Sequence, residues 1–234
     1  MDSGKELKAI LIDVGGPIID EASDYEYTLT AIKKILDDLT GKKIPVGEIV
    51  EVREKMINSW APSLTKAIFW QYLKPDFEKY AEAYAIAVEA VYNHHDEVVL
   101  VDGVNEIIPA LTEEYVLALA GNQPSKVREK LEKTGLLKFF RSNVVSDDIG
   151  LHKPDTRFFL EICRRIDVGP ENCCMIGDRM DNDIFPANIL GMRTILLDTG
   201  PHRYQRARVP EDEPDYQIEN MREVRAIIRL LNKV

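Results

Sequence analysis

The chain lacks any apolar run near the roughly 20 residues that cross a bilayer, so no membrane-spanning helix is expected. The start, MDSGKELK, lacks the apolar stretch of a secretory leader, and a cytoplasmic location is the expectation. Cysteine is scarce. Cys163, Cys173 and Cys174 are too few and too unevenly spaced for a disulfide framework. Two of them are adjacent within an apolar run, which reads as reduced core thiols rather than a metal site. Basic residues are in the minority, with 30 Lys and Arg against 40 Asp and Glu and a net charge of −10. Nucleic acid is therefore not an expected partner, because phosphate backbones are bound by basic faces. Internal repeats and low-complexity stretches are also missing.

What is present is an ordinary globular composition, 45% hydrophobic and 30% charged over 234 residues. That length suits one large domain or two modest ones. An acidic chain that handles anions must build a local positive site from a metal, a lysine or helix N-termini.

Two textures divide the sequence. From about residue 21 to 94 the spacing is helical throughout. Leu29, Ile32, Ile35, Leu36 and Leu39 mark a first helix, with Gly41 as its stop. Pro45 opens a second, carrying Ile49, Val52, Met56 and Trp60; SLTKAIFWQYL and DFEKYAEAYAIAVEAVY predict a third and a fourth. KAILID before this region, and YVLALAG (115–121), NVVSD (143–147), CCMIGD (173–178) and RTILLD (193–198) after it, read as short buried strands. Helical segments are expected at 103–113, 124–134, 154–167, 182–191 and 220–233. Strand–helix alternation predicts an α/β fold, a parallel sheet covered by helices on both faces. The helical segment is then an insert, with a core of 1–18 and 98–234 and an insert of 19–97.

In open α/β sheets, chemistry sits beyond the carboxyl ends of the strands. The first expected strand ends at Asp13, the second at Gly121-Asn122, and the fourth at Gly177-Asp178, with Asp183 shortly after. Lys153, in GLHKPD, follows the third. Several carboxylates in one crevice repel one another unless a cation sits among them, and oxygen ligands suit Mg²⁺. Pro124 and Pro154 are each placed to open a helix whose N-terminus could face an anion.

These residues, in this order, resemble the haloacid dehalogenase (HAD) superfamily of hydrolases with a type 1 helical cap. The first family motif, D-x-D-G-T-L-V-D, lies over Asp13-Val14-Gly15-Gly16-Pro17-Ile18-Ile19-Asp20. The second, a Ser or Thr before Asn, lies over Gly121-Asn122, and the third, K-P-D-P-x-x-F, over Lys153 to Phe159. The fourth, G-D-x-x-x-x-D, is intact as Gly177-Asp178 to Asp183. The resemblance covers about 5–20 and 98–200, with the cap inserted between.

It implies a Rossmann-like core and a Mg²⁺-dependent phosphatase. Asp13 would be the nucleophile, with Mg²⁺ held by Asp13, the carbonyl of Gly15 and Asp178, supported by Asp183. Lys153 would hold both nucleophile and substrate anion, and Gly121 and Asn122 would meet the phosphoryl group. The implied partner is a small phosphorylated substrate, handled by a monomer or homodimer, with neither nucleic acid nor membrane involved.

Two family residues are missing. The general acid of the first motif is Gly15 here, and the hydroxyl residue of the second is Gly121. Losing acid–base help costs on the order of 10²–10⁴ in rate, least for good leaving groups. Asp20 and Glu21 are the nearest acids, but they align with the linker to the cap. The 2-haloacid dehalogenases also lack the second acid, which makes carbon–halogen hydrolysis an alternative; they carry an arginine early in the cap, whereas the first here is Arg53. A weakly active or inactive member that binds a ligand or a protein partner is the third reading. Trp60, Phe69, Trp70 and Tyr72 are expected to pack the core of the cap, or else to line a pocket. Hinges are expected near 16–21 and 95–103, with a turn at Asp102-Gly103.

Overall fold

Ala9–Ile12 form a strand, β1, in which all four side chains are buried, as the unbroken apolar run AILI requires of a strand covered on both faces. The structure is a computed structural model and describes residues 6–94 and 98–232. Alternation along β1 sends Ile10 and Ile12 into one apolar layer and Ala9 and Leu11 into the other. The strands β2 (Val116–Leu119), β3 (Cys173–Gly177), β4 (Arg193–Leu197) and β5 (Tyr216–Ile218) complete a parallel sheet in the order β2-β1-β3-β4-β5.

Between β1 and β2 the chain forms α1 (Ala22–Thr40), α2 (Val46–Asn58), α3 (Leu64–Leu73), α4 (Phe77–His94) and α5 (Val104–Leu111). After β2 come α6 (Val127–Lys133), α7 (Ser146–Ile149), α8 (Thr156–Ile166), α9 (Phe185–Ile189) and α10 (Val224–Leu231). The layer holding Ile10 and Ile12 includes Val104, Ile108, Val224 and Ile228 of α5 and α10; the opposite layer includes Phe158, Phe159 and Ile162 of α8. Each such fully buried side chain is worth about 1.5–3 kcal/mol of transfer free energy. The α/β fold class and the parallel sheet are as expected.

Several local expectations need correction. Residues 143–147 form no strand. Only Ser142 bridges to Ala118, and Ser146 already begins α7. The segment leaves the sheet because a serine and two aspartates follow the two valines, and Asp148 caps Val145 N–H instead. Neither proline opens a helix: α6 starts three residues after Pro124, and Asp155 is the N-cap of α8, accepting from Arg157 N–H at 2.9 Å. The expected helix 182–191 is split into a wide turn, Met180–Ile184, and the short α9.

The chain divides into two compact units. One comprises Met1–Asp20, Val98–Arg203 and Ala207–Val234, and the other Glu21–Glu97 with Tyr204–Arg206. The core of the second unit is built from Ile32, Ile35, Leu36, Ile49, Ile68, Phe69 and Leu73. Gly41 ends α1 in the left-handed region and donates to Asp37 O, and Pro45 is the N-cap of α2. Of the aromatic stretch, Phe69 is fully buried, Tyr72 packs on the same core, and Trp70 sits against Phe77 and Tyr80. The crossings at 16–21 and 98–103 pair with each other through Asp20 N–H to Val99 O (2.8 Å) and Val101 N–H to Ile18 O (3.0 Å). Asp102-Gly103 forms the expected turn; residues 95–97 of that expected hinge lie outside the described residues.

Candidate active site

Register builds the site. Ile12 lies opposite Leu119 on one side and Ile176 on the other, so Asp13 falls level with Ala120 and Gly177. Asp13 N–H donates to Ile176 O at 2.9 Å, which fixes its backbone at the tip of β1. The next residues on the flanking strands are then Gly121-Asn122 and Asp178, all at one end of the sheet. Asp183 returns to this end through the wide turn after β3: its N–H donates to Arg179 O at 3.0 Å, and its Oδ2 accepts from Arg179 N–H at 3.1 Å.

Lys153 arrives from the loop before α8. Asn122 places it with two hydrogen bonds, Lys153 N–H to Asn122 Oδ1 at 2.8 Å and Asn122 Nδ2 to Lys153 O at 2.9 Å. The ammonium then sits 2.9 Å from Asp13 Oδ2 and 2.6 Å from Asp183 Oδ1. All four charged groups are buried, Asp183 completely. Two glycines allow this crowding. Gly16 has φ +85°, and a Cβ there would stand 2.7 Å from Asp178 Cγ. A Cβ on Gly177 would overlap the Asp183 carboxyl group.

One carboxylate oxygen from each of Asp13, Asp178 and Asp183 lies within 4.8 Å of the others. Three carboxylates face one lysine, so the cluster carries surplus negative charge. Arg179 does not relieve it directly, because its guanidinium forks onto Asp181 at 2.9 and 2.6 Å. Burial pulls the Lys153 pKa down, but Asp13 and Asp183 outweigh it and the net shift is upward, so the lysine stays charged. Burial pushes the Asp183 carboxyl up; Lys153 pulls it back, Asp13 pushes it again, and the result is about 7. Three hard oxygen donors with surplus negative charge fit a divalent cation such as Mg²⁺.

The sequence-derived site residues thus divide by position. Lys153 pairs with Asp13 and Asp183, and an Asp178 oxygen lies within 4.8 Å of the other two carboxylates. Asn122 spends its side-chain amide on the Lys153 backbone. Gly15 is buried two residues beyond Asp13, and Gly121 packs against Val14. Val14 was not anticipated: a Cβ on Gly121 would stand 2.8 Å from Val14 Cγ2, so a valine methyl fills the space beside the second-motif position. Only tertiary contact reveals this. The Arg179–Asp181 pair was also missed, although the charge pattern RMDND offered a signal for it.

The profile of haloacid dehalogenase-like hydrolases matches residues 7–191. The glyceraldehyde 3-phosphate phosphatase of Methanocaldococcus jannaschii is 27% identical over 234 residues, covering 97% of this chain and 99% of that protein. The enzyme of the same name from Methanopyrus kandleri is 32% identical over 153 residues, 63% of this chain and 66% of that one. Among solved structures, the HAD-hydrolase YfnB of Bacillus subtilis, bound to magnesium, matches with a TM-score of 0.67 at 23% identity, covering 96% of this chain and 99% of that one, which shows the shared fold. With the four motif positions gathered at one end of the sheet and the profile spanning most of the chain, this protein belongs to the haloacid dehalogenase-like hydrolase family and is an enzyme of the hydrolase class.

Proposed function

We propose that the protein is a Mg²⁺-dependent phosphatase of small phosphate monoesters. One observation carries the reading: Asp13 Oδ2 lies 2.9 Å from a buried lysine within a group of three buried carboxylates. Asp13 attacks phosphorus, the bond from phosphorus to the leaving oxygen breaks, and the phosphoryl group rests on Asp13 until water cleaves it. Lys153 neutralises the nucleophile before attack and the phosphoryl oxygens during it. Asn122 is a positioning residue that holds the Lys153 backbone, and backbone N–H groups near Gly121 and Asn122 meet the phosphoryl oxygens. Mg²⁺ held by Asp13, Asp178 and the Gly15 carbonyl, with Asp183 in support, would offset charge in the transition state.

Gly15 supplies no acid, so the leaving oxygen takes its proton from water. Aryl esters are therefore turned over faster than alkyl esters. The names of the archaeal relatives make glyceraldehyde 3-phosphate the first alkyl ester to test. Three buried free thiols fit a reducing, cytoplasmic setting.

The test is hydrolysis of p-nitrophenyl phosphate and glyceraldehyde 3-phosphate by purified protein, with Mg²⁺ and after chelation. Asp13→Asn is expected to lower turnover by at least about 10⁴-fold. Equal activity in the variant would overturn the reading. Halide release from a 2-haloacid without metal would move the protein to the carbon–halogen branch.

A further inference from the structure

The helical unit contains a cavity of about 280 Å³ that the proposed reaction does not use. Its walls come from α1, α2 and α3. Leu29, Ile32 and Ile68 give it an apolar side, and Ile32 and Ile68 also belong to the buried core of the helical unit. Arg53 lines the same cavity, and its Nε is buried without a hydrogen-bond partner among the described residues. A buried guanidinium N–H without an acceptor is costly, and buried polar groups in native proteins are nearly always satisfied. An oxygen in the cavity, from water or from a ligand, would satisfy it.

Glu21 and Asp24 lie on the same wall, with Tyr25 donating to Glu21 Oε2 at 3.1 Å. Two carboxylates disfavour a dianion such as phosphate but tolerate a single negative charge that pairs with Arg53. The volume is just below the roughly 300–1,000 Å³ usual for ligand pockets, so the occupant is small. We infer that this cavity binds a small monocarboxylate, its charge on Arg53 and its short carbon chain on Leu29, Ile32 and Ile68. The inference stands whether or not Asp13 is a nucleophile. The carboxylate belongs to a separate small molecule held within the helical unit, not to the phosphate ester.

The test is calorimetric titration of the full chain with glycerate and lactate, with glycerol and inorganic phosphate as controls. Glycerate is expected to bind saturably, and at least about tenfold more weakly to Arg53→Gln, since a charge-assisted hydrogen bond is lost. Arg53→Lys keeps the charge but loses the fork, and should fall between them. Asp13→Asn should bind as the parent does, which separates this site from the reaction centre. Glycerol should not bind, and phosphate binding should be unaffected by changes at Arg53. In p-nitrophenyl phosphate hydrolysis, glycerate is expected to leave KM unchanged; a rise in KM alone would mean competition with the ester and would overturn a separate site. Absence of saturable glycerate binding overturns the inference. So does equal binding by Arg53→Gln with an unchanged Tm. If that variant fails to fold, equal binding by Arg53→Lys decides against it.

Discussion

Asp37 in the helical unit and Asp183 in the sheet unit are both buried carboxylates held by lysine, but their surroundings differ in charge balance. Asp37 receives Lys33 at 2.7 Å, Lys43 at 3.3 Å and the Ile44 N–H at 2.8 Å. The hydrogen bond from Lys33 comes first among the causes that hold its pKa down to about 2, followed by the Ile44 N–H. That acid is over-supplied with donors and simply pins the end of α1 to the loop before α2. Asp183 shares its one lysine with Asp13 and has Asp178 nearby, and its carboxyl is pushed up to about 7 by burial first. A satisfied acid is architecture. An acid crowded by other acids is able to hold a cation.

Removing the lysine on each side gives the largest contrast. Lys153→Met removes the lysine paired with Asp13 and Asp183 and leaves only the more distant charge of Arg179 to act on Asp183, and breaking such a buried pair costs about 3–5 kcal/mol. Turnover should also fall by at least about 10²–10³-fold, as for loss of one transition-state charge donor. Lys33→Met leaves Asp37 with Lys43 and the Ile44 N–H, so Tm should drop far less and turnover should stay at the parent level. Chemical denaturation and initial rates on both variants check this. The contrast breaks if Lys153→Met is as stable and as active as Lys33→Met.

Acidity separates the two sites in the next largest effect. The Asp183 pKa is raised in the fold, so its contribution in metal-stripped protein is fully present below 3.8 and is lost as pH rises towards about 7. The Asp37 pKa is lowered, so its contribution is present above 3.8 and is lost as pH falls towards about 2. The two windows do not overlap. Urea midpoints of chelated protein should therefore decline between pH 4 and 7, a slope bounded by the 3.8 and about 7 of Asp183. Saturating Mg²⁺ should flatten that slope, because an ion that binds only the folded state stabilises it and keeps Asp183 ionised. Asp183→Asn should flatten it without metal. A slope that survives this substitution would assign the titration elsewhere.

Asp37 was invisible in the sequence and the clustered acids were legible, for physical reasons. Asp13, Asp178 and Asp183 each end or follow a run of buried residues that only a central parallel strand explains, and Lys153 is tied to a fixed Lys-Pro-Asp entry to a helix. Those are short-range patterns. Asp37 lies on a helix among other charges, and its donors come from a loop that no periodicity marks. β5 was missed because its three residues, Tyr216–Ile218, stand in an acidic, proline-broken stretch with no apolar run. The false strand at 143–147 shows the opposite error: two adjacent valines read as a strand, while the following Ser and Asp residues favour helix entry and capping. Val14 beside Gly121 and Arg53 in its cavity depend on which side chains meet in space, and no spacing encodes that.

The smallest effect concerns that valine. A serine at position 121 would restore the hydroxyl that the family's second motif uses, but its Cβ would stand 2.8 Å from Val14 Cγ2. Valine is branched at Cβ and stiff at χ1, so it cannot swing aside cheaply. Gly121→Ser alone should therefore cost about 1–3 kcal/mol of stability through overpacking, with no gain in turnover. Val14→Ala clears the methyl at the cost of a small cavity, of the order of 1–3 kcal/mol. In the double variant the two strains share one space, so the combined loss should be smaller than the sum by at least about 0.5 kcal/mol. The hydroxyl would then be free to meet a phosphoryl oxygen, and turnover should rise modestly. A double-mutant cycle on urea stability, with kcat on p-nitrophenyl phosphate alongside, measures both. Strict additivity would mean that Val14 does not occupy the missing hydroxyl's place, and that position 121 lacks a hydroxyl for another reason.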